Sequence, residues 1–592
     1  MRKSALLATV AALGLLAAPA LTARAAEVAN YQNVSQARLD QPEPGNWLMV
    51  RGNYAGWGYS PLKQITSDNV KELVPVWSLS TDITDAHQAP PIVNDGVMFI
   101  STPQNNVVAL DAKTGNVIWR YKRELPAEMQ QLHPTNRGVA LYGDKVYTAT
   151  QDACVVALKA KTGEVAWEHC VIDWSEGYYM TLAPLAAKGK VMVGVSGGEL
   201  GIRGFIAAMD AETGKEAWKT YTVPAPGEPG SETWKGDAWK TGGAPVWMQG
   251  NYDPKSGLAY FGTGNGGPWM PDTRPGDNLY ATSTLALDVD TGAIKGHHQY
   301  HWNDAWDWDE VSAPLLIDVQ RDGKTIPALV HAGRNGYLWT LERTPQGPIN
   351  FVAGQPFVYQ NVFKSLDPKT GRPTYDETKT PGTNKKVTFC PSLWGGKDWP
   401  NEAYNPDTKL LYIPANDNLC AEIGGMPLGE HEPGELYIGV PIEDIFSSMR
   451  PRQGVDTSKP TNIGQLQAWD LSTGKKVWTH EFLDSAMWGP VLTTGGNLVF
   501  AGGTNDRMFR AFDAKTGEVK WQTRLSSGVL GVPTSFELGG VQYIAVQSGY
   551  GVDAERQNNG LRKMFAPRLD EQPVPNAGTV WVFALRDKVM AQ

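Results

Sequence analysis

Four side chains bound the chemistry open to this chain. Glu199 sits in Ser196-Gly197-Gly198-Glu199-Leu200-Gly201. Asn265 sits in Tyr260-Phe261-Gly262-Thr263-Gly264-Asn265-Gly266-Gly267-Pro268-Trp269. Asp307 and Asp309 share Asp304-Ala305-Trp306-Asp307-Trp308-Asp309-Glu310. Together they offer oxygen ligands only, which suits a hard cation, calcium or a trivalent lanthanide, and not zinc. Asp307 and Asp309 are two residues apart, so on a strand they point to one side. Each acid alone reads more readily as a turn or solvated residue; their joint occurrence carries the reading.

Other motifs carry less. Gly262-x-Gly264-x-x-Gly267 matches the dinucleotide fingerprint, but Pro268, Pro271 and Pro275 follow, so no helix can open there to hold a pyrophosphate. His297, His298 and His301 lie beside an Asp/Trp-rich run with no cysteine partner, and read as strand surface. There is no Gly-x-Ser-x-Gly elbow for a serine hydrolase. There is no Cys-x-x-Cys-His for a covalently attached haem.

The elements that must position these loops announce themselves by repetition. The pattern Ala-x-Asp-x-x-Thr-Gly-x-x-x-Trp ends at Trp119, Trp218, Trp478 and Trp521. A worn copy ends at Trp167, and a degenerate one puts Gly296 where the Trp belongs. Each copy reads as a strand, a tight turn in which Gly supplies positive φ, and a second strand closed by an aromatic that fills the gap between sheets. Recurrence at roughly 40–50 residues marks a β-propeller, one four-stranded blade per repeat. Clusters that follow predicted strands then fall on the loops of its funnel.

The bulk properties agree. The 592 residues include Gly 63, Pro 41 and Trp 22, and no linker divides them. A formal charge of −9 argues against a nucleic-acid partner. Residues 1–25 read as a signal peptide: Arg2 and Lys3, an apolar run from Leu6 to Leu21, and the small-x-small site Ala23-Arg24-Ala25. Residues 26–592 then form a single exported propeller domain, periplasmic in a Gram-negative cell, with no membrane span. The four cysteines, in an oxidising compartment, pair as Cys154–Cys170 and Cys390–Cys420.

The repeats and the three clusters together resemble the pyrroloquinoline quinone (PQQ)-dependent alcohol dehydrogenases. The likeness extends from Trp57-Gly58-Tyr59-Ser60-Pro61-Leu62 to Gly578-Thr579-Val580-Trp581-Val582-Phe583. It includes Arg274-Pro275-Gly276-Asp277-Asn278-Leu279-Tyr280, Arg334-Asn335-Gly336 and Gly395-Gly396-Lys397-Asp398-Trp399. It implies an all-β, eight-bladed propeller with tryptophan-docking repeats. Glu199, Asn265 and Asp307 match metal ligands, and Asp307 also the base that takes the alcohol proton. Asp309 matches the extra carboxylate of lanthanide-dependent members, which favours lanthanide(III) over Ca²⁺. Trp247 matches the indole floor under the quinone, and Trp488 a second aromatic of the funnel. Arg137, Thr181, Ser196, Gly197 and Gly198 match groups around the cofactor's carboxylates and carbonyls. Arg334 matches the cation beside the reactive quinone oxygen. The implied partners are an alcohol and, with no haem in the chain, a soluble cytochrome c; a homodimer is left open.

Three departures stand out. Gln131-Leu132-His133-Pro134-Thr135 occupies the position of the adjacent cysteines that cover the quinone in many members, so Leu132 or His133 becomes the candidate cap. Gln88 replaces a common Glu, and Asp398 replaces the usual Asn. These changes resemble the sorbose dehydrogenase branch and point away from methanol, toward a polyol, a sugar or another bulky alcohol. The Gly-, Pro- and acid-rich stretch from Met426 to Thr461 is expected at the rim of the funnel. The alternative is a non-catalytic propeller that binds proteins in the cell envelope. It explains neither the missing lipid-attachment cysteine nor the four converging oxygen ligands.

Overall fold

The computed structural model describes residues 27–129, 131–565, 569 and 573–590; the expected signal peptide lies outside the described residues. Eight sheets of four strands or more follow one another along the chain. They span residues 92–122, 140–170, 185–221, 251–299, 315–356, 403–483, 492–524 and 534–585. Each is an antiparallel meander. The eighth is completed from the other end of the chain, because Leu73–Ser80 pairs with Thr579–Leu585 and closes the ring. Tyr59–Ser60 adds a short parallel strand to the seventh, against Leu492–Thr494. Among the described residues no helix is long and apolar enough to cross a membrane.

The repeat builds the seams between blades. In Asp111-Ala112-Lys113-Thr114-Gly115, the Asp111 carboxylate accepts from the backbone N–H of Lys113 and Thr114 and from the Thr114 hydroxyl, at 2.8–3.0 Å. Asp210, Asp288 and Asp513 organise their own turns in the same way. In four copies the Trp then reaches into the next blade. The indole N–H of Trp119 donates to Ala160 O at 2.9 Å, that of Trp167 to Ala211 O at 3.0 Å, that of Trp218 to Val289 O at 2.9 Å and that of Trp478 to Ala514 O at 3.1 Å. The turn glycine of the receiving blade lies under the ring: a Cβ on Gly163, whose φ is +75°, would stand 2.6 Å from Trp119.

Two seams depart from the repeat. Gly296, the residue in place of a Trp, lets the chains approach so closely that a Cβ there would lie 2.1 Å from Gly347 O. Trp77 docks on Ala112 O at 3.1 Å, a contact the sequence pattern does not flag. An additional Asp367-Pro368-Lys369-Thr370-Gly371 turn carries a small hairpin, Phe363–Leu366 with Pro373–Tyr375, and packs its glycine against Phe351.

Both expected disulfides are present. Cys154 and Cys170 face each other in register on neighbouring strands. Cys390–Cys420 fastens a three-stranded sheet of Val387–Phe389, Leu419–Ile423 and Met449–Pro451.

Candidate active site

Glu199, Asp307, Asp309, Arg137, Thr181, Ser196, Gly197, Trp247 and Arg334 line one cavity of about 1060 Å³, measured out to open solvent. They come from loops that leave the strands of separate blades, so nothing near them in sequence holds them together. The Asp307 loop is not a strand: Asp307 has φ +60°, and both carboxylates face the cavity by loop geometry rather than by strand alternation. Between them, fully buried Trp308 turns away and donates to Ser392 O at 3.0 Å.

Two buried groups set the shape of this loop. Asp304 accepts the Asp307 backbone N–H at 3.1 Å and contacts His301 Nε2 at 2.9 Å. Arg274, fully buried, donates to Pro268 O at 2.7 Å, to Trp269 O at 3.1 Å and to Asp304 O, and so clamps the Asn265 loop to the Asp307 loop. His301 and His298 are therefore core residues, not strand surface; His297 alone of the three is exposed. Glu310, which contacts His331 Nε2 at 2.6 Å, accepts the Arg334 backbone N–H at 3.2 Å.

Arg334 is the one cation among the acids. Its guanidinium donates to Asp307 O at 2.6 Å and to Asp309 Oδ2 at 3.2 Å, pairs with Asp398, and lies 3.8 Å from Asp307 Oδ2. Asp309 also accepts the Asn265 N–H at 2.6 Å and the Trp247 indole N–H at 3.2 Å. Burial raises the Asp309 pKa to about 7 and that of Asp307 well above its ordinary value. Arg334 opposes the rise, while the neighbouring carboxylates reinforce it. A cation among these acids would return them to the charged form.

The residues present fit both a hard cation and a flat polyacid. Both polar atoms of the buried Asn265 side chain lack a hydrogen-bond partner. Gly198 abuts that side chain, 3.5 Å from Asn265 Oδ1 to an added Cβ. The oxygens of Glu199, Asp307 and Asp309 do not all fall within 4.8 Å of one another. Ligands on opposite sides of an ion held at 2.3–2.6 Å stand about that far apart. Arg137 stacks on Trp247, 4.7 Å from the ring centroid, and donates to Thr181, which is 3.4 Å from Ser196.

The remaining expected residues lie just outside the cavity lining. Gly198, next to Glu199 in the chain, faces the Asn265 side chain, and Asp398 stands behind Arg334. Trp488 is buried and donates to Gln557. Gln88 faces a separate small cavity together with Arg137.

Both candidate cap residues line the main cavity. His133 sits 3.0 Å from the Tyr179 hydroxyl through Nδ1 and 3.2 Å from Arg556 through Nε2, and Arg556 holds Leu132 O at 3.0 Å. Asp553 and Arg556 come from the helix Val552–Met564, which sequence reasoning missed because no motif marks it. Tyr179, Trp269, Leu393 and Trp394 also line the cavity unannounced. The expected rim is present: Leu436, Ile438, Ile442, Ile445 and Phe446 line the mouth, and Tyr437 N–H binds Glu199 O at 2.7 Å.

With this geometry in view, comparison with known proteins is decisive. The model of the family described as "PQQ: Glucose/ethanol/alcohol dehydrogenase, beta-propeller domain" matches residues 47–364 and 482–544. The chain belongs to this quinoprotein family. It is 38% identical over 559 residues to the quinoprotein alcohol dehydrogenase PedH of Pseudomonas putida, covering 89% of each chain. It is 35% identical over 544 residues to the lanthanide-dependent methanol dehydrogenase of Methylacidiphilum fumariolicum, covering 86% of each. It is 34% identical over 574 residues to "Methanol dehydrogenase [cytochrome c] subunit 1" of Methylobacterium organophilum, covering 92% of this chain and 89% of that one. A solved europium-containing methanol dehydrogenase superposes with a TM-score of 0.85 at 33% identity, over 93% of this chain and all of the other.

Proposed function

We propose that the protein oxidises alcohols with PQQ and one bound cation, passing the electrons to a soluble cytochrome c. The observation that carries this reading is the convergence of Glu199, Asp307 and Asp309 on one cavity beside Arg334, with the unpartnered Asn265 amide behind them. When bound, PQQ supplies an acceptor for the hydride of the alcohol carbon, and the cation supplies Lewis acidity at the accepting carbonyl.

The chain's own residues do the rest. Arg137, Thr181 and Ser196 hold carboxylates, and Trp247 offers a flat face for stacking. Asp307 takes the hydroxyl proton on its carboxylate. Arg334 fixes Asp307 through its carbonyl and leaves the carboxylate toward the cavity. Glu199, Asn265, Asp307 and Asp309 would hold the ion. The additional carboxylate of Asp309 adds a negative charge that a trivalent lanthanide balances better than Ca²⁺, and the relatives named for lanthanides support that choice.

The mouth speaks to the substrate. Leu436, Ile442 and Phe446 are 45%, 45% and 49% exposed at the entrance. Exposed apolar groups rimming a polar site mark a binding surface. They favour an alcohol larger than methanol with an apolar body, and weigh against a polyol or sugar. The acceptor reading is supported by the cytochrome c named for a relative, and the periplasmic reading by the signal-like start of the sequence. The test is a dye-linked substrate screen on apoprotein reconstituted with PQQ and either calcium or lanthanum. We expect activity with both cofactors present, greater with lanthanum, and highest kcat/KM for apolar alcohols. Absence of turnover in the reconstituted protein, with PQQ bound, would overturn the enzyme reading.

A further inference from the structure

A second cavity, of about 420 Å³ measured in the same way, adjoins the first, and Arg137 lines both. It lies toward the propeller's centre. Ala183, Ala313 and Val532, on its wall, each stand two residues before the first strand of a different blade: Leu185–Ala187, Leu315–Arg321 and Thr534–Leu538. Trp247 lines the upper cavity while Met248 and Gln249 line the lower, so the chain crosses from one to the other at the indole.

Charge sets this cavity apart. Two arginines line it, Arg51 and Arg137, and no acid does. They are 7% and 6% exposed. Burial lowers both to about 10, which leaves them charged at neutral pH. Arg51 donates to the Glu402 carbonyl, but the Glu402 carboxylate also serves Lys397, 3.2 Å away. One carboxylate therefore faces two cations.

Three buried N–H donors have no partner: Arg51 Nε, Arg137 Nε and Trp399 Nε1. The amide oxygens of Gln88 and Gln249 on this wall also lack partners, but a side-chain amide can turn to present its NH2 group instead, so the donors set the character of the wall. An unpaired buried donor costs about 1–3 kcal/mol, and more when charged. Three such donors around one small space call for a common acceptor.

We propose that this lower cavity binds one small monovalent anion, a halide such as chloride, on the N–H groups of Arg51, Arg137 and Trp399. The room left for the centre of a water-sized group is about 20 Å³, which suits one monatomic ion or a water. Water would satisfy the donors without offsetting any of the guanidinium charge; a halide does both. The site shares Arg137 with the alcohol-oxidising centre but none of its acids, and its occupancy does not depend on which alcohol is used.

The test uses PQQ- and metal-loaded protein. Crystals soaked in sodium bromide are expected to give an anomalous peak in this cavity, within bonding distance of the three donors. Between 1 and 100 mM chloride, at ionic strength held constant with gluconate, Tm is expected to rise by about 2 °C. Sulfate, too large for the cavity, is expected to give no such rise. Gln88→Glu introduces a carboxylate on the same wall, and is expected to abolish both the bromide peak and the chloride dependence. A cavity that holds only water, or a cofactor carboxylate, in bromide-soaked wild-type crystals would overturn the proposal. So would a Tm that responds equally to chloride, gluconate and sulfate.

Discussion

At the seams, one contact is used again and again: an indole N–H to a carbonyl of the next blade, with a glycine lying flat beneath the ring. At the funnel no contact repeats. Arg334, Asn265 and Trp247 meet once, and the single carboxylate of Asp309 accepts from all three. A repeated contact tolerates the loss of a copy, as the Gly296 seam demonstrates by closing without a Trp. A single convergence has no spare. Stability is thus distributed around the ring, whereas activity is concentrated in a few side chains.

The largest expected effect tests that division at the funnel. Asp307→Asn should lower kcat by about 10²–10⁴-fold, the usual worth of a general base, with Tm and bound quinone absorbance unchanged. Wild-type turnover in a cofactor-loaded Asp307→Asn protein would remove the residue from its role as base. The counterpart at a seam is Trp119→Ala, which should cost about 3–5 kcal/mol of stability and leave kcat per bound cofactor intact well below the new Tm. A proportional fall in kcat there would mean that seam and funnel are one cooperative unit.

A finer cut separates the acids from one another. Asp309→Ala should reduce lanthanide-supported activity about tenfold more than calcium-supported activity, a difference of ~1.4 kcal/mol. Equal losses with the two ions would argue against the charge-matching account.

Protonation sharpens the same contrast. In the metal-free fold the Asp309 pKa is about 7, against about 3.9 in an unfolded chain. The folded state then binds more protons across that interval, so this group's contribution to stability falls as pH rises from about 4 to about 7. Metal-free protein should therefore lose Tm over this range relative to the metal-loaded form, whose Asp309 stays ionised. Parallel Tm profiles for the two forms would contradict a metal at Asp309. The smallest effect is expected at the rim. Phe446→Ser should raise KM for apolar alcohols by up to about tenfold, the worth of roughly one apolar side chain, while sparing methanol. A larger loss for methanol than for long alcohols would count against the apolar mouth.

What could be read from the sequence follows the same line. The Asp-x-x-Thr-Gly turn and its Trp are legible because their geometry is local: a carboxylate three residues from its threonine, and a glycine that must hold positive φ. Glu199, Asp307 and Asp309 were legible as residue types and through family resemblance. The common side of Asp307 and Asp309 is expected from strand alternation but has another cause, because Asp307 adopts φ +60° in a loop shaped by Asp304 and Arg274. Asp553 and Arg556 left no trace at all. They reach the cavity from a helix more than four hundred residues beyond His133, and only tertiary packing brings these groups together. His298 and His301, unlike exposed His297, depart from the surface expectation for a related reason: polarity in an alternating strand suggests solvent, whereas His301 is paired with Asp304 in the core.

The last blade borrows its outermost strand, Leu73–Ser80, from near the beginning of the chain and joins it to Thr579–Leu585. The circle can be locked only when both of those segments exist outside the ribosome and on the same side of any membrane. Until then an early strand waits with an open edge, and the walls of the central well have no fixed circumference. Loading of an ion and a quinone into that well is in consequence an event that follows completion of the polypeptide, and an export route that delivers the chain unfolded must deliver its ligands separately.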